Sequence, residues 1–249
     1  NFVDFINSNG SDFSPMLTSN GNAIYFTSSR DDSTGEIKSS ITGQKFNDIY
    51  ITETNVAGEW LKPVKLESEI NTEFDEGTPS FTSNGRYMFY TYSKYDEKQQ
   101  TTPQIYYSRK INGIWTAGKH LIIVPGDTHS LFAHPAISPS GRYLYFVSDM
   151  PGGYGGKDLW RVQLSPALDV LEVENLGPQV NSHGNELFPT VRYESTIYFS
   201  SDGHPGMGGL DLFVAQHDIH TGNWTIKNMG PPLNSHADDF GITFKPNGE

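Results

Sequence analysis

The amino-acid sequence predicts an all-β fold, and three observations support this prediction. A marker made of Asn-Ser or Asn-Thr, an acidic residue and a proline recurs about every 55 residues, a period typical of repeat architectures. Each marker is followed by short segments rich in β-branched and aromatic residues, which favour strands. No segment shows a sustained helical period. Four short strands in a repeat of this length are typical of a β-propeller blade.

The marker occurs in four recognisable copies and one degenerate copy. The Asn residues of the recognisable copies are Asn7, Asn71, Asn181 and Asn234. The acidic residue follows five positions later in each copy, at Asp12, Glu76, Glu186 and Asp239, and Ile242 replaces the proline in the last copy. In the degenerate copy, Phe132 stands in the acidic position, three residues before Pro135.

The remainder of each repeat predicts three further strands. A turn with Asn-Gly or Ser-Gly follows the first segment, and such pairs supply the positive φ of tight hairpins. The predicted second strands are centred on residues 24–26, 88–90, 144–146 and 197–199. The predicted third strands start near residues 48–50, 104–106, 158–160 and 211–213. A second turn, with Gly-x-Trp in three of the repeats, leads into the fourth strand.

The repeat boundaries predict a single propeller domain with five blades, and six blades are the alternative. Four blades cover residues 12–72, 73–130, 131–184 and 185–239. Residues 240–249 supply the first strand of a fifth blade, which residues 1–11 close as an outer strand. Closure of this kind removes exposed sheet edges. The two middle strands of this fifth blade are missing from the sequence, so we expect the natural polypeptide to continue past Glu249. The chain is then a part of a larger protein.

Composition excludes several functional classes. The 249 residues include 29 acidic and 17 basic side chains, so the formal charge is −12. Nucleic-acid binding is not expected, because this charge repels phosphate backbones and the Lys and Arg residues do not cluster. No apolar run reaches the length that spans a bilayer. The absence of Cys excludes disulfides and thiolate zinc sites.

The repeats resemble the PD40 repeat, a WD40-like repeat related to the TolB propeller. The fullest copies are Ser200-Ser201-Asp202-Gly203 followed by residues 207–212, and Ser148-Asp149 followed by residues 155–159. The long glycine-rich loops and the Asn-Ser/Thr junctions are similar to those in propellers of OmpA-family envelope proteins of the Bacteroidetes, of the PorE type found in the type IX secretion system.

This resemblance implies a function without catalysis. It implies a protein-interaction scaffold in the periplasm, associated with the outer membrane, linked to type IX secretion and bound to other cell-envelope proteins. No cofactor is implied. The OmpA-like domain that binds peptidoglycan in such proteins has no counterpart in this sequence, so peptidoglycan binding is not expected. The alternative function is a carbohydrate-binding or glycoside-hydrolysing propeller.

The recurring carboxylates Asp12, Glu76, Glu186 and Asp239 are the first candidate site. We expect them at one mouth of the central channel, where they accept hydrogen bonds from the backbone of the junctions between blades. Glycoside hydrolysis needs two carboxylates with different roles. A carboxylate that recurs once in each blade favours a structural role instead, so no catalytic residue is assigned.

Three histidines, His129, His183 and His236, follow the junctions of successive repeats. A shared metal is not expected, because packed sheets lie about 10 Å apart and Zn–N bonds are about 2.0–2.1 Å long. The glycine loops 152–156 and 206–209 carry Tyr154 and Met207. We expect Asp158 and Asp211 to bond the backbone of these loops. We expect Tyr154, Met207 and the three histidines to contact a partner protein.

Overall fold

A computed structural model describes residues 5–39, 43–94 and 101–245. Within these ranges, all of the strands belong to four antiparallel sheets. The first sheet contains β1 (Asp12–Leu17), β2 (Ala23–Ser28), β3 (Asp48–Glu53) and β4 (Val64–Lys65). The second contains β5 (Asp75–Phe81), β6 (Tyr87–Ser93), β7 (Gln104–Ile111), β8 (Ile114–Trp115) and β9 (Lys119–His120). The third contains β10 (Phe132–Ile137), β11 (Tyr143–Ser148), β12 (Asp158–Leu164) and β13 (Val170–Asn175). The fourth contains β14 (Glu186–Tyr193), β15 (Thr196–Ser201), β16 (Asp211–His217) and β17 (Trp224–Asn228).

Each sheet is a meander in which consecutive strands pair, as expected for a propeller blade. In the second sheet, β9 pairs with β7 beside the short β8. The predicted second and third strands are confirmed, since each predicted segment lies within an observed strand. Aromatic and β-branched residues fit these pleated and largely buried positions.

The prediction of five or six blades is wrong, because the structure has four sheets in the described part of the chain. Described residues 5–11 and 240–245 form no strand. Residues 1–4 and 246–249, which completed the predicted terminal strands, lie outside the described residues. The marker around Asp239 still has the local geometry of the other copies, since Gly241 has a φ of 75°. A marker alone does not make a blade, because a strand exists only where a neighbouring strand supplies its ladder.

The chain divides into two compact units, Asn1–Leu121 with Thr243–Glu249, and Ile122–Ile242. The first unit contains the first two sheets. Its core includes Tyr25 and Trp115, whose rings meet edge to face with centroids 6.5 Å apart. The second unit contains the other two sheets, and its core includes Phe199 and Phe213, whose rings stack 5.8 Å apart. Each unit therefore buries aromatic side chains of its own.

The first strand of every sheet contains a β-bulge at the residue before its proline. These residues are Ser14, Thr78, His134 and Phe188, with φ angles of 49°, 50°, 50° and 51°. The strand register shifts at each of these positions. A positive φ is uncommon for residues other than glycine and is an outlier for a β-branched residue such as Thr78. Four repeats of the same conformation identify it as a feature of the blade.

Candidate functional site

Each recurring carboxylate accepts two hydrogen bonds from the Ser or Thr four residues earlier, one from the backbone N–H and one from the hydroxyl. The donors for Asp12, Glu76, Glu186 and Asp239 are Ser8, Thr72, Ser182 and Ser235. Asp12 and Glu186 begin β1 and β14, Glu76 is the second residue of β5, and Asp239 lies outside a strand. The Ser/Thr of the marker is therefore the hydroxyl donor to the carboxylate.

In three of the four recognisable copies, the Asn of the marker joins the junction to the third strand of a sheet. Asn181 accepts a hydrogen bond from the backbone N–H of Leu159 (2.8 Å) and donates one to its carbonyl oxygen (3.0 Å). Asn71 and Asn234 make the same pair of bonds with other strands. No role for these amides was predicted from the sequence. Their recurrence in every recognisable copy of the marker was the signal, since a side-chain amide can imitate a strand neighbour.

Asp12 and Arg30 form an ion pair at the first junction. Arg30 Nη2 lies 2.7 Å from Asp12 Oδ1, and both side chains are largely buried. The guanidinium also lies over the rings of Phe26 and Tyr50, 5.2 and 4.9 Å from their centroids. Burial by itself raises the pKa of Asp12. The hydrogen bonds from Ser28, Arg30 and Ser8 outweigh that effect, so the pKa lies below its usual range.

Glu76 is fully buried, and among the described residues no cation pairs with it. Burial raises its pKa to about 8, against the opposing hydrogen bonds from Thr72. The nearby carboxylates of Asp48 and Asp75 contribute to the increase. This carboxyl group therefore carries a proton at neutral pH for much of the time. Burial without a counter-ion is the usual cause of such a shift.

Glu186 has a third kind of environment. Its Oε1 accepts hydrogen bonds from the hydroxyls of Ser182 and Ser201, at 2.5 and 2.8 Å. His204 Nε2 lies 3.9 Å from the same oxygen, and it is also 2.7 Å from the carbonyl oxygen of Val180. The carboxylates of the described junctions thus bind groups of their own chain, and this arrangement holds the junctions in place.

The glycine loops of the second unit are tied to the third-strand Asp residues, as the sequence predicts. Asp158 accepts hydrogen bonds from the backbone N–H groups of Tyr154 (2.5 Å) and Gly155 (3.1 Å). Asp211 accepts bonds from Met207 (2.8 Å) and Gly208 (3.0 Å). The prediction that these two carboxylates bond the loop backbone is confirmed.

Both glycine loops also pack closely on the junction that follows them. A Cβ on Gly155 would lie 2.4 Å from the carbonyl oxygen of Gly184. A Cβ on Gly208 would lie 2.0 Å from the carbonyl oxygen of Ala237. Because only glycine fits at such distances, these residues are required by the close approach of two backbones.

This packing brings the candidate partner-binding residues together in pairs. The backbone carbonyl carbon of His183 would lie 2.8 Å from a Cβ on Gly155, the residue that follows Tyr154. His236 Nδ1 lies 3.4 Å from the carbonyl oxygen of Met207. Tyr154 and Met207 keep 47% and 41% of their surface exposed, and both histidines are exposed.

His129 does not belong to either pair. It lies in a turn in which Asp127 accepts hydrogen bonds from the backbone N–H groups of His129 and Ser130, each at 2.9 Å. These bonds lower the pKa of the Asp127 carboxyl group. His129 is exposed.

Within the described ranges, no group of three or more His, Asp and Glu side chains is arranged to hold a metal ion. In the same part of the chain, no helix is long and apolar enough to cross a membrane.

Comparison with known proteins identifies the fold. No protein-family model and no curated protein matches the chain. Among solved structures, it is similar to TolB from Acinetobacter baumannii, with a TM-score of 0.56 and 20% identity over 98% of this chain. The match covers 48% of the TolB chain, so this chain spans about half of its length. The fold is that of a β-propeller.

Two enzymes of known structure have the same likeness to this propeller. An α-L-arabinofuranosidase from Clostridium thermocellum has a TM-score of 0.54 and 14% identity, over 98% of this chain and 82% of the enzyme. The tricorn protease has a TM-score of 0.53 and 13% identity, over 97% of this chain and 24% of the protease. At these identities the likeness shows the fold alone, since one fold serves many functions.

Proposed function

We propose that this chain is a non-enzymatic propeller that binds other cell-envelope proteins as a scaffold. One observation carries the proposal: the two pairs Tyr154 with His183 and Met207 with His236 are exposed on firmly held loops of the second unit. The recurring carboxylates, in contrast, are engaged with the chain's own donors. The exposed pairs are therefore the groups available to a partner.

The loops suit protein recognition for a physical reason. Their backbones are fixed by Asp158 and Asp211 and by contact with the next junction, so binding would cost little conformational entropy. Tyr offers a large amphipathic contact surface, and Met adapts its shape to a partner. Such residues are enriched at interfaces.

We place this scaffold in the periplasm, at the outer membrane, in an assembly linked to type IX secretion. The support is the resemblance of the repeats to those of OmpA-family envelope proteins. The formal charge of −12 favours protein partners over nucleic acid.

A cross-linking pull-down from native cell envelopes tests the proposal. The chain should capture outer-membrane secretion components, and replacement of both Tyr154→Ala and Met207→Ala should abolish that capture. The control replaces two other exposed apolar residues of the same unit, Tyr193→Ala and Ile219→Ala, and should capture the same proteins as the wild type. Equal capture by both double variants, or retention on envelope polysaccharide without a protein partner, would contradict the scaffold.

A carbohydrate-active propeller is the second candidate, and the carboxyl group of Glu76 favours it. The pKa of this group is raised, and a raised pKa is a property of general acids in glycosidases. The test measures phenol release from aryl α-L-arabinofuranosides and other aryl glycosides. Turnover that Glu76→Gln abolishes without a change in the circular-dichroism spectrum would support this candidate. No turnover by the wild type would leave the scaffold function.

A further inference from the structure

The turn between β7 and β8, in the first unit, has Asn112 and Gly113 at its exposed tip. Ile111 and Ile114 pair on either side of it, so the turn contains only these two residues. Asn112 has a φ of 50° and Gly113 a φ of 84°, and positive φ at both positions is the type I′ geometry of a tight hairpin. Neither the recurring carboxylates nor the glycine loops of the second unit belong to this turn.

An asparagine that precedes a glycine can lose its side-chain amide without an enzyme, which is one reason why Asn is thermolabile. The backbone nitrogen of the glycine gives up its proton and attacks Cγ of the asparagine. An N–Cγ bond forms and the Cγ–Nδ2 bond breaks, so that ammonia leaves and a five-membered succinimide ring remains. Water then opens the ring at either carbonyl group, which produces aspartate or isoaspartate. The reaction therefore needs a glycine N–H that is free and an Asn side chain that can turn toward it.

Three other Asn-Gly pairs of the described chain do not meet these requirements. The pairs begin at Asn9, Asn20 and Asn84, and a further pair at Asn247 lies outside the described residues. The N–H of Gly10 donates to Ser8 Oγ at 3.1 Å. The N–H groups of Gly21 and Gly85 each donate to a carbonyl oxygen at 2.8 Å. The attacking nitrogen is thus engaged in all three pairs.

The side chains of Asn20 and Asn84 are also held in place. Asn20 Oδ1 accepts hydrogen bonds from the hydroxyl of Thr18 (2.7 Å) and from the N–H of Asn22 (3.2 Å). Asn84 Oδ1 accepts the equivalent bonds, from Thr82 and Arg86, at 2.8 and 3.0 Å. Before Cγ can meet the next nitrogen, these bonds must break.

Asn112 and Gly113 differ from the other pairs on both points. Among the described residues, neither the Asn112 side chain nor the Gly113 N–H forms a hydrogen bond. A Cβ on Gly113 would meet no atom within 4 Å, so water has open access. The strand after the turn, β8, has only two residues, and so short a ladder opens at low cost. We infer that Asn112 is a site of spontaneous deamidation, with formation of isoaspartate, in the folded protein.

Incubation of the full chain at mildly alkaline pH, folded and in urea, tests this proposal. Peptide mass spectrometry follows the gain of one mass unit, and the tryptic peptide of residues 111–119 contains Asn112 as its single asparagine. In urea, we expect similar rates at Asn20, Asn84 and Asn112, because each precedes glycine. In the folded chain, the rate at Asn112 should be at least about fivefold higher than at the other two. That ratio corresponds to about 1 kcal/mol, the net contribution of one hydrogen bond.

The product and a pair of matched variants identify the reaction. Ring opening produces isoaspartate as well as aspartate, whereas direct hydrolysis of the amide produces aspartate alone, and electron-transfer fragmentation distinguishes the two. Asn112→Gln should remove the mass gain from peptide 111–119, since its ring would have six members. The control, Asn84→Gln in another exposed turn, should leave that gain unchanged. The proposal is overturned if folding protects Asn112 as strongly as Asn84, if no isoaspartate forms at residue 112, or if the gain persists in Asn112→Gln.

Discussion

The two units provide different hydrogen-bond acceptors for the backbone N–H of a bulge residue. At the bulge of the second sheet, the backbone N–H of Thr78 donates a hydrogen bond to the hydroxyl of Thr27 in the neighbouring sheet (2.8 Å). At the bulge of the fourth sheet, the backbone N–H of Phe188 donates to His134 Nδ1 (3.2 Å). A hydroxyl accepts at any ordinary pH, whereas an imidazole accepts only when it is neutral.

The stability of the two units is expected to change with pH in opposite directions, because each unit buries one titratable group of a different kind. In the second unit, burial lowers the pKa of His134 to about 4, with a contribution from the charge of Lys157. The ring stacks on Phe188 with centroids 4.1 Å apart. In the first unit, the pKa of Glu76 is raised to about 8. The same fold thus contains one group that resists protonation and one that retains its proton.

The largest expected effect tests the comparison between Asp12 of the first unit and Glu186 of the second. Asp12→Asn leaves the largely buried Arg30 without an anion, and we expect a loss of about 3 kcal/mol in the free energy of unfolding. Glu186→Gln keeps one oxygen for the hydroxyls of Ser182 and Ser201 and loses the acceptor of the Ser182 backbone N–H, and we expect a loss of about 1 kcal/mol. Urea denaturation at pH 7 measures both. Adding Arg30→Met to Asp12→Asn should recover part of the loss, and equal losses in the two single variants would contradict the comparison.

The next effect concerns the hydroxyl acceptor of the first unit. Thr27→Val leaves the buried N–H of Thr78 without an acceptor, which costs about 2 kcal/mol. Thr27→Ser retains the oxygen and should lose less. Thermal denaturation of the three proteins gives the order, and a Ser variant as unstable as the Val variant would show that the methyl group, not the hydrogen bond, matters.

Because of His134, we expect the second unit to lose stability in acid. Because the folded pKa of His134 is lower than its ordinary value, the unfolded chain binds the proton more tightly. Stability is then complete above about pH 6.5 and falls as the pH is lowered toward 4, by at most about 1.4 kcal/mol per pH unit for one proton. The protection factors of residues 186–193 in hydrogen exchange, which correct for the intrinsic pH dependence of amide exchange, should show this slope. His134→Asn offers a non-titrating acceptor and should flatten it, and an unchanged slope would exclude His134 as the cause.

Because of Glu76, we expect the stability of the first unit to change with pH in the opposite direction. This is the smallest of these effects near neutral pH. The folded pKa of Glu76 is above its ordinary value, so the folded chain binds the proton more tightly. Its contribution is complete below about pH 4.5 and is lost as the pH rises through about 8, again by at most about 1.4 kcal/mol per pH unit. Glu76→Gln should remove this slope from hydrogen exchange of residues 75–81. If the protection factors of the wild type, which correct for the intrinsic pH dependence of amide exchange, do not fall between pH 6 and pH 9, the raised pKa is wrong.

Most of the strands could be predicted from the sequence, because their signals are local. The aromatic segment 144–146 and the turn at Gly141 lie next to each other in the chain, and β11 forms there. Blade number could not be predicted in the same way. The marker around Asp239 has the residues and the positive φ of Gly241, yet residues 240–245 form no strand, since strand formation depends on a partner elsewhere.

The candidate sites could also be predicted from the sequence only in part. The bond from the Tyr154 backbone to Asp158 could be anticipated, because the two residues are four positions apart. The ion pair of Asp12 with Arg30 could not, because the two residues are 18 positions apart and no sequence pattern joins them. The pair depends on which side chains the fold brings together.

The sequence by itself determined the all-β class, the four-stranded repeat and the residues that cap each junction, because each of these depends on neighbours within a few positions. The tertiary structure decided how many blades form, which acceptor meets the N–H of each bulge, and which of the recurring carboxylates pairs with a cation. Asp12 and Glu76 stand at the same position of the repeat, yet only Asp12 lies beside Arg30. Electrostatic environments depend on distance in space and on burial, and neither is written in the spacing of residues along the chain.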